Sequence, residues 1–322
     1  MRAGIVGAGL SGLMAARTLV AAGHDVVLFD KGRSPGGRLA TRRIGGARLD
    51  HGAQFFTVRD PAFAAIVDEW QRAGVVHEWC RGFAGDDGHP RYAARGGMNA
   101  IAKHLAAGLD VRCDSLVFGI GRGDPDGGGG WRITLDDNSV TAVDALVMTC
   151  PLPQTFSLLF TADVQMPELL WRTDYDRTLA LLAVLDRPGA VPAPGGVQGP
   201  AHGDPVFNFI GDNVAKGVSD VPALTFHATA AWSEQHWDDD PADAHAALLE
   251  LARPWFGDAR VVESQLKRWR FATPRSIWPD PCWTPDGITT LAVAGDAFAG
   301  PKVEGAALSG IAAAHAVIGS TP

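Results

Sequence analysis

Residues 2–30, RAGIVGAGLSGLMAARTLVAAGHDVVLFD, decide the fold of this 322-residue chain. The apolar residues 2–6 predict a short buried strand, and the stretch from Gly12 to Ala22 predicts a helix with one apolar face. Residues 25–29 predict a second strand, which an acidic residue follows directly. Glycines cluster between the first strand and the helix. This order of elements predicts a Rossmann-type α/β domain.

The glycine cluster has the spacing of a dinucleotide-binding loop. Gly7 would make the tight turn, Gly9 would let backbone amides approach a pyrophosphate, and Gly12 would let the helix pack closely on the sheet. Asp30 ends the second strand, where its carboxylate can accept hydrogen bonds from ribose hydroxyls. Isolated glycines with this spacing often mark only a turn, but the surrounding strands, helix and acid favour dinucleotide binding. This segment alone does not distinguish NAD from FAD.

Two further glycine-rich segments favour FAD. Ser34–Arg38 closely follows the first segment; its arginine can pair with a phosphate oxygen, and its glycines let the chain approach the cofactor. The pair Gly295–Asp296 precedes a glycine-rich helix start and resembles the element that holds the FAD ribityl chain. The residues predicted to bind FAD non-covalently are Gly7, Gly9, Leu10, Ser11, Gly12, Asp30, Lys31, Gly37, Arg38, Gly52, Ala53, Gln54, Phe55, Val117, Gly295, Asp296, Lys302, Val303, Glu304, Gly305 and Ala306.

Composition predicts a globular protein and argues against several classes of partner. Apolar residues make up 46% of the chain, and the net charge is −8 without a Lys/Arg-rich block, so we expect no nucleic-acid partner. Apolar runs stay below the roughly 18 residues of a membrane span, and glycines interrupt the apolar N-terminus. We therefore expect a cytoplasmic protein with neither a membrane span nor an export signal. The four widely spaced cysteines show no metal-binding pattern and fit a reducing compartment.

Further elements follow from capping residues and apolar periodicity. Helices are predicted over 60–73, 98–107 and 240–255, and a last one from about Glu304. The last helix has Leu308, Ile311, His315 and Ile318 at helical spacing, and its small residues, Gly305, Ala306, Ala307 and Gly310, permit close approach. Strands are predicted over 110–120 and around 261–271, a glycine-rich hairpin tip at 127–130, and irregular structure over 187–205.

Five segments resemble the FAD-dependent amine-oxidase-like superfamily and, within it, the bacterial renalase-like proteins. They are LDHGAQFFT (49–57), ARGGMNAIAKHLA (94–106), FHATAAWSEQHW (226–237), KRWRFATP (267–274) and AGDAFAGPKVEGAALSG (294–310). The resemblance covers nearly the whole chain. It implies a Rossmann-type FAD-binding domain, of the p-hydroxybenzoate hydroxylase or monoamine oxidase kind, with an inserted α+β substrate domain. The implied boundaries are 1–58, 95–155 and 263–322 for the FAD-binding domain and 59–94 and 156–262 for the substrate domain.

The renalase-like resemblance implies oxidation of dihydronicotinamide dinucleotide isomers, with hydride passing to flavin N5 and electrons then passing to O2 to give H2O2. Such chemistry needs orientation more than acid–base groups, so the absence of an obvious catalytic triad is expected. The candidate substrate-pocket residues are His227, Trp232, Trp269 and Arg270. A tryptophan can stack on a planar ring, and the arginine can bind a phosphate or carboxylate. Each can equally be a structural residue.

Two alternatives share the same cofactor signals: an oxidase of an amine or another small substrate, and a non-redox FAD-dependent isomerase. The chain has only two tyrosines, Tyr92 and Tyr175, which argues against a paired-tyrosine cage. Lys302 stands where the family resemblance leads us to expect arginine, so a bidentate contact would be lost. Cys282 precedes the Gly295–Asp296 element, and we expect no thioether to FAD there. The sequence does not indicate the oligomeric state.

Overall fold

The computed structural model describes residues 1–123, 130–199 and 204–319, so most of the glycine-rich tip predicted at 127–130 lies outside the described residues. The helices are α1 (Leu10–Ala21), α2 (Pro61–Arg72), α3 (Asn99–Ala106), α4 (Leu152–Phe160), α5 (Glu168–Trp171), α6 (Ala230–Gln235), α7 (Pro241–Phe256) and α8 (Lys302–Ile318). The strands are β1 (Arg2–Val6), β2 (Asp25–Phe29), β3 (Thr41–Ile44), β4 (Ala47–Asp50), β5 (Val76–Cys80), β6 (Arg91–Ala94), β7 (Asp110–Arg112), β8 (Val117–Arg122), β9 (Trp131–Leu135), β10 (Val140–Val143), β11 (Ala145–Met148), β12 (Tyr175–Leu185), β13 (Gly196–Gln198), β14 (Phe207–Asp212), β15 (Ala223–Ala228), β16 (Val261–Pro274) and β17 (Leu291–Val293).

The chain divides into two compact, discontinuous units. Unit 1 contains Met1–Gly37, Ala102–Asp174 and Pro274–Pro322, and unit 2 contains Arg38–Ile101 and Tyr175–Thr273. These boundaries differ from the predicted domain boundaries because β16 is part of the unit 2 sheet and the β3–β4 hairpin packs on that sheet. The segments that change sides are 38–58, 95–101 and 263–273, which fall in unit 2, and 156–174, which falls in unit 1.

Unit 1 is built on a parallel five-stranded sheet in the order β17–β11–β1–β2–β7. β1 lies between β2 and β11 and is buried over its last four residues, as expected for an apolar strand in the middle of a parallel sheet. The strand predicted over 110–120 is divided in two: β7 joins the parallel sheet, whereas β8 joins an antiparallel sheet with β9 and β10. Asp114 separates the two strands with a φ of +49°, a conformation that aspartate tolerates better than most residues.

Helices α1 and α8 pack backbone against backbone in unit 1. A Cβ on Gly310 would lie 2.0 Å from the Ser11 carbonyl oxygen, so α8 can approach α1 only with glycine at this position. The small residues predicted to permit close approach include Ala307 and Gly310, which are buried, whereas Leu308 is half-buried and His315 is exposed. Close approach between the helices selects small residues over large apolar ones.

Unit 2 is built on a five-stranded sheet in the order β13–β14–β15–β12–β16. Helix α7 covers one face, where its Leu248 packs in a core with Leu181 and Phe226. The β3–β4 hairpin covers the opposite face, where Leu49 packs with Leu182. Because successive residues of a strand point to opposite faces, a residue's position along β12 or β15 determines which of these two cores it meets.

Several local predictions agree with the structure. Asp60 and Asp240 cap α2 and α7, and each carboxylate accepts a hydrogen bond from a backbone N–H two residues further on. The segment 187–205 is irregular over most of its described length but contains β13, whose residues pair with β14. Within the described ranges, no helix combines the length and apolarity needed to cross a membrane.

Candidate functional site

The chain requires glycine at two positions where β1 leads into α1: Gly7 in the loop and Gly12 in the first turn of the helix. Gly7 has a φ of +106°, and a Cβ there would lie 2.6 Å from Thr149 Oγ1. A Cβ on Gly12 would lie 2.0 Å from the Gly7 carbonyl oxygen, which no side chain can tolerate. Gly9 differs, because a Cβ there would meet no atom within 4 Å. The space beside Gly9 is therefore open to a ligand that approaches the backbone.

Helix α1 begins at this loop without a side-chain cap. Its N-cap is Gly9, which offers no side-chain acceptor, in contrast to the aspartates that cap α2 and α7. The first N–H groups of a helix have no partner within the helix, and they carry the positive end of the helix dipole. Ser11 Oγ in the first turn is buried and has no hydrogen-bond partner in the described part of the chain. These features fit a pyrophosphate at the start of α1.

Asp30 lies beside the same loop. Its Oδ2 accepts a hydrogen bond from the Ala8 N–H at 2.7 Å, and its Oδ1 accepts one from the Gly32 N–H at 2.7 Å. An ionised carboxylate offers roughly four lone-pair positions, so Asp30 keeps capacity for ribose hydroxyls. Gly37 also lies close to the loop, since a Cβ on it would be 3.4 Å from Gly9 Cα. Lys31, the next residue that was predicted to bind FAD, has an exposed side chain.

The Gly295–Asp296 element lies in the same unit. Gly295 has a φ of +152°, and a Cβ on it would meet no atom within 4 Å, so this backbone too is open to a ligand. Asp296 is buried at 8% exposure. A Cβ on Gly305 would lie 1.5 Å from the Gly300 carbonyl oxygen, so only glycine lets the first turn of α8 pack against the loop before it.

Helix α8 also begins without a side-chain cap, because Pro301 is its N-cap. Lys302 has a φ of +78°, a strained conformation for lysine of the kind found at functional sites. Val303 is buried, and Glu304 and Ala306 are half-buried in the first turn. The positive end of α8 would favour negative charge on a reduced flavin. Val117, which was also predicted to bind FAD, lies on β8 in unit 1 and is buried.

In unit 2, Arg38 meets the loop that follows β4. The Arg38 carbonyl oxygen accepts a hydrogen bond from the Ala53 N–H at 2.8 Å, and a Cβ on Gly52 would lie 2.0 Å from it. The Arg38 guanidinium donates to the Ala272 carbonyl oxygen at 3.3 Å and lies 5.8 Å from the Tyr175 ring centroid. Whether Arg38 contacts a phosphate, as predicted, stays a prediction.

Phe55, in the same loop, lies among other aromatic side chains of unit 2. Its ring centroid is 5.2 Å from that of Phe83 and 5.8 Å from that of Phe209. Trp79 completes the group, with its centroid 6.3 Å from that of Phe55. This packing fixes one end of the loop.

The other end of the loop carries a fully buried ion pair. Lys216 and Asp50 both have 0% side-chain exposure, and Lys216 Nζ lies 3.0 Å from Asp50 Oδ2. Asp50 Oδ1 accepts a hydrogen bond from the Met98 N–H at 2.8 Å, and Asn213 Oδ1 accepts one from the Asp50 N–H at 3.2 Å. Burial lowers the pKa of Lys216, and the Asp50 carboxylate opposes that shift. The positive charge of Lys216 thus offsets the cost of burying the Asp50 carboxylate.

Gln54 connects this ion pair to two histidines. Its Oε1 accepts a hydrogen bond from Lys216 Nζ at 2.8 Å, and its Nε2 donates to the Asp50 carbonyl oxygen at 2.7 Å. The same Nε2 lies 3.3 Å from His227 Nε2. His227 Nε2 and Trp269 Nε1 both contact the His51 carbonyl oxygen, at 3.1 and 2.7 Å.

The four candidate substrate residues lie on opposite faces of the unit 2 sheet. His227 and Trp269 come together at the His51 carbonyl, on the face that the β3–β4 hairpin covers. Trp232 packs against the α7 core and stacks on His236 instead. Arg270 is exposed and alternates with Trp269 along β16, which directs it away from the His51 carbonyl. Strand alternation, which the interpretation of the motifs did not use, separates Trp269 from Arg270, whereas Trp232 lies on α6.

Both histidines near the ion pair are held neutral. Burial, helped by the positive charges of Lys267 and Arg42, lowers the pKa of His51 to about 4. Burial likewise lowers the pKa of His227 to about 4; the hydrogen bond to the His51 carbonyl opposes this shift, and Lys216 adds to it. His51 also stacks on Trp269, with 5.2 Å between ring centroids and 23° between planes.

Lys216 and Asn213 have no counterpart among the residues predicted from the sequence. They lie in the segment DNVAKGVSD (212–220), whose polar and glycine residues are typical of an exposed turn. Asp50 belongs to the motif LDHGAQFFT but was not predicted to form an ion pair. A lysine in such a segment gives no sequence signal for burial.

Two family models match the chain. The model of an NAD(P)-binding Rossmann-like domain matches residues 5–70, and the model of the flavin containing amine oxidoreductases matches residues 64–318. Together they confirm the predicted fold class and the predicted FAD cofactor. Gly7, Gly9 and Gly12 lie in the first match, and the Gly295–Asp296 element lies in the second.

Individual proteins show the same relationship over shorter stretches. Putrescine oxidase from Kocuria rosea is 45% identical over 65 residues, 20% of this chain and 14% of that protein. Hydroxyneurosporene desaturase from Rubrivivax gelatinosus is 45% identical over 86 residues, 23% of this chain and 16% of that protein. The chain thus spans less than a fifth of the length of these curated relatives.

Solved structures share the fold over almost the whole chain. A putrescine oxidase structure with bound putrescine has a TM-score of 0.72 at 15% identity and covers 99% of both chains. An oxidoreductase from Methanosarcina mazei has a TM-score of 0.66 at 16% identity and covers 97% of this chain and 99% of its own. Because the amine oxidoreductase model matches more than half of the residues, the chain belongs to the flavin containing amine oxidoreductase family.

Proposed function

We propose that the chain is an FAD-dependent oxidase of dihydronicotinamide dinucleotide isomers, as in renalase-like proteins. In the overall reaction the substrate loses a hydride, O2 and one proton are consumed, and the products are NAD(P)+ and H2O2. FAD, when bound, supplies a ring that accepts the hydride at N5 and later returns two electrons to O2. Non-covalent binding is part of the proposal, since burial raises the pKa of the Cys282 thiol and so disfavours its nucleophilic thiolate.

The observation that supports this substrate class is the sign of the charge around the two histidines. The charged side chains that lower the pKa values of His51 and His227 are cations, namely Lys267, Arg42 and Lys216. Asp50 is neutralised by its buried ion pair and is closed to a substrate. A cationic amine would therefore be repelled, whereas a dinucleotide with anionic phosphates would be attracted.

The residues around the His51 carbonyl suit a reaction that needs little proton transfer. The stacked rings of His51 and Trp269 present a flat aromatic surface, which can orient a planar nicotinamide. His227 stays neutral at pH 7, so it can hydrogen-bond a carboxamide without adding charge. In this proposal the chain contributes orientation and exclusion of water rather than general acid–base catalysis.

Anaerobic mixing tests the substrate class directly. The purified yellow holoprotein is mixed with the dihydronicotinamide isomers, with ordinary NADH and NADPH, and with a panel of amines that includes putrescine. We expect the isomers to bleach the visible flavin band, and we expect H2O2 in an amount equal to the oxidised substrate when air is admitted. Absence of bleaching by every isomer rules the proposal out. Colour that stays with the denatured precipitate rules out non-covalent FAD.

An amine oxidase is the second candidate, favoured by the sequence match to putrescine oxidase. Rapid bleaching by an amine, with no response to the nicotinamides, selects it over the first proposal.

A further inference from the structure

We propose that unit 1 holds a further small-molecule site, a cavity that binds an organic cation with an apolar body. The cavity has a volume of about 470 Å³, and pockets that bind small ligands usually measure roughly 300–1,000 Å³. Its lining residues come from the segments 163–167 and 283–288, which both belong to unit 1. No residue predicted to bind FAD or the substrate lines this cavity. The proposal is therefore independent of the proposed function.

Two aspartates give the cavity its charge. Asp163 and Asp286 both line it and both are exposed. Neither carboxylate takes part in a hydrogen bond or an ion pair with any residue in the part of the chain that the structure describes. The basic residues nearest to them along the chain, Arg172 and Arg275, pair with other carboxylates, at 2.9 and 3.2 Å. The protein itself thus leaves both charges without a cation, and a cationic ligand would be attracted.

Trp283 is the aromatic residue of the cavity. It is 9% exposed, and two backbone hydrogen bonds to Val293, of 2.9 and 2.8 Å, hold it beside β17. Its indole N–H nevertheless has no acceptor within residues 1–123, 130–199 and 204–319. A polar group on so deeply buried a side chain normally has a partner, so the cavity offers a donor that a ligand can use. An indole ring also attracts cations more strongly than the other aromatic side chains.

The rest of the lining favours an organic cation over a metal ion. Among the described residues, no group of three or more histidine, cysteine, aspartate or glutamate side chains could hold a metal. Ca2+ takes six to eight oxygen ligands, far more than two carboxylates supply. Apolar side chains also line the cavity: Met166, Pro167, Pro285 and Ile288. Alkyl groups on the cation would bury this surface, which a hydrated metal ion would leave in water.

The test uses the FAD-loaded full chain with 15N-labelled tryptophan. The chain has ten tryptophans, and the Trp283→Phe variant identifies the indole N–H signal of Trp283. Choline is the probe because it carries a quaternary ammonium and a hydroxyl acceptor, and 3,3-dimethylbutan-1-ol is its uncharged isostere. We expect choline to shift the Trp283 signal with saturation at millimolar concentration, and the alcohol to leave the signal in place. Titration calorimetry measures the choline affinity without the assignment.

Three outcomes of these titrations overturn the proposal. The first is a Trp283 signal that choline does not shift. The second is an equal shift by choline and by the uncharged alcohol, since the charge would then play no part. The third is a shift by CaCl2 at lower concentration than by choline, which would make the cavity a metal site.

Asparagine variants test the two carboxylates. Asp163→Asn and Asp286→Asn each remove one charge and keep the size of the side chain, and both positions are exposed, so we expect the variants to fold. Each should raise the dissociation constant of choline about threefold, and the double variant should raise it further. Asp258→Asn, at an exposed aspartate outside the cavity, is the matched control and should leave the dissociation constant unchanged.

An unchanged choline affinity in the double variant overturns the proposal, because the carboxylates would then not contact the cation. None of these measurements depends on reduction of the flavin. If no dihydronicotinamide isomer bleaches the holoprotein, the proposed function fails, whereas the choline titrations still decide whether the cavity binds a cation.

Discussion

Gly9, the N-cap of α1, and Gly12, in the first turn of α1, differ in what restricts them. The restriction at Gly12 comes from the protein itself, because a Cβ would lie 2.0 Å from the Gly7 carbonyl oxygen. At Gly9 the chain leaves room for a Cβ, and its φ of −72° suits any residue. Only a bound cofactor can explain a requirement for glycine there, because the backbone must approach the pyrophosphate closely.

We therefore predict that Gly9→Ala separates cofactor binding from folding. The apoprotein should unfold at an unchanged temperature, whereas its affinity for FAD should fall by about tenfold or more, roughly 1.4 kcal/mol, because the new methyl group occupies the approach to the phosphates. Gly12→Ala should lower both the unfolding temperature of the apoprotein and its affinity for FAD. Thermal unfolding of the apoprotein and fluorescence titration with FAD measure the two effects.

Gly119→Ala is the control for these two variants, since its Cβ would meet its nearest atom at 3.9 Å. It should change neither unfolding nor FAD binding. An unchanged FAD affinity in Gly9→Ala would contradict a pyrophosphate at the start of α1.

At the level of single residues, the sequence predicts residues that the backbone conformation requires better than it predicts which polar residues are buried. The glycines of the β1–α1 loop could be located because their spacing follows from the turn itself. Lys216 could not, because its burial depends on Asp50 and Gln54, more than 160 positions away along the chain. Trp232 could not be separated from His227, because Trp232 lies on α6 and packs against the α7 core, on the other side of the sheet from the His51 carbonyl.

Helix α7 shows that the residues at a helix terminus determine where the helix begins. Its predicted start at Pro241 agrees with the structure, where the Asp240 carboxylate accepts a hydrogen bond from the Ala242 N–H at 2.8 Å. We expect Asp240→Ala to lower the free energy of unfolding by about 1 kcal/mol, because this N–H group loses its partner. Asp258→Ala, at an exposed aspartate just beyond the helix, is the control and should be close to neutral. Urea unfolding followed by circular dichroism compares the two, and equal losses would argue against a capping role.

Elements without such terminal signals were predicted less well. β1 and β2 have the predicted bounds because short apolar runs next to glycine or acid leave little choice. The predicted strand over 110–120 is two strands in different sheets, and the sequence carries no glycine or proline at the break near Asp114. In α8, by contrast, the prediction that Gly310 permits close approach agrees with the structure, because a Cβ there would lie 2.0 Å from the Ser11 carbonyl oxygen.

The stability of the whole chain should depend on pH through His51 and His227. Both pKa values are lowered from 6.5 to about 4 in the folded protein, so below pH 6.5 the unfolded chain binds protons that the folded chain does not. Stability is therefore complete above pH 6.5 and is lost as the pH falls towards 4, by roughly 2–3 kcal/mol for each histidine. His227→Gln should reduce this loss by about half, while the same substitution at the exposed His89 should leave it unchanged. Urea unfolding at several pH values between 7 and 4.5 measures the slopes. Equal slopes in the His227→Gln and unmodified proteins would mean that burial does not hold His227 neutral. The proposal that the site works without general acid–base catalysis would then lose the support of a neutral His227.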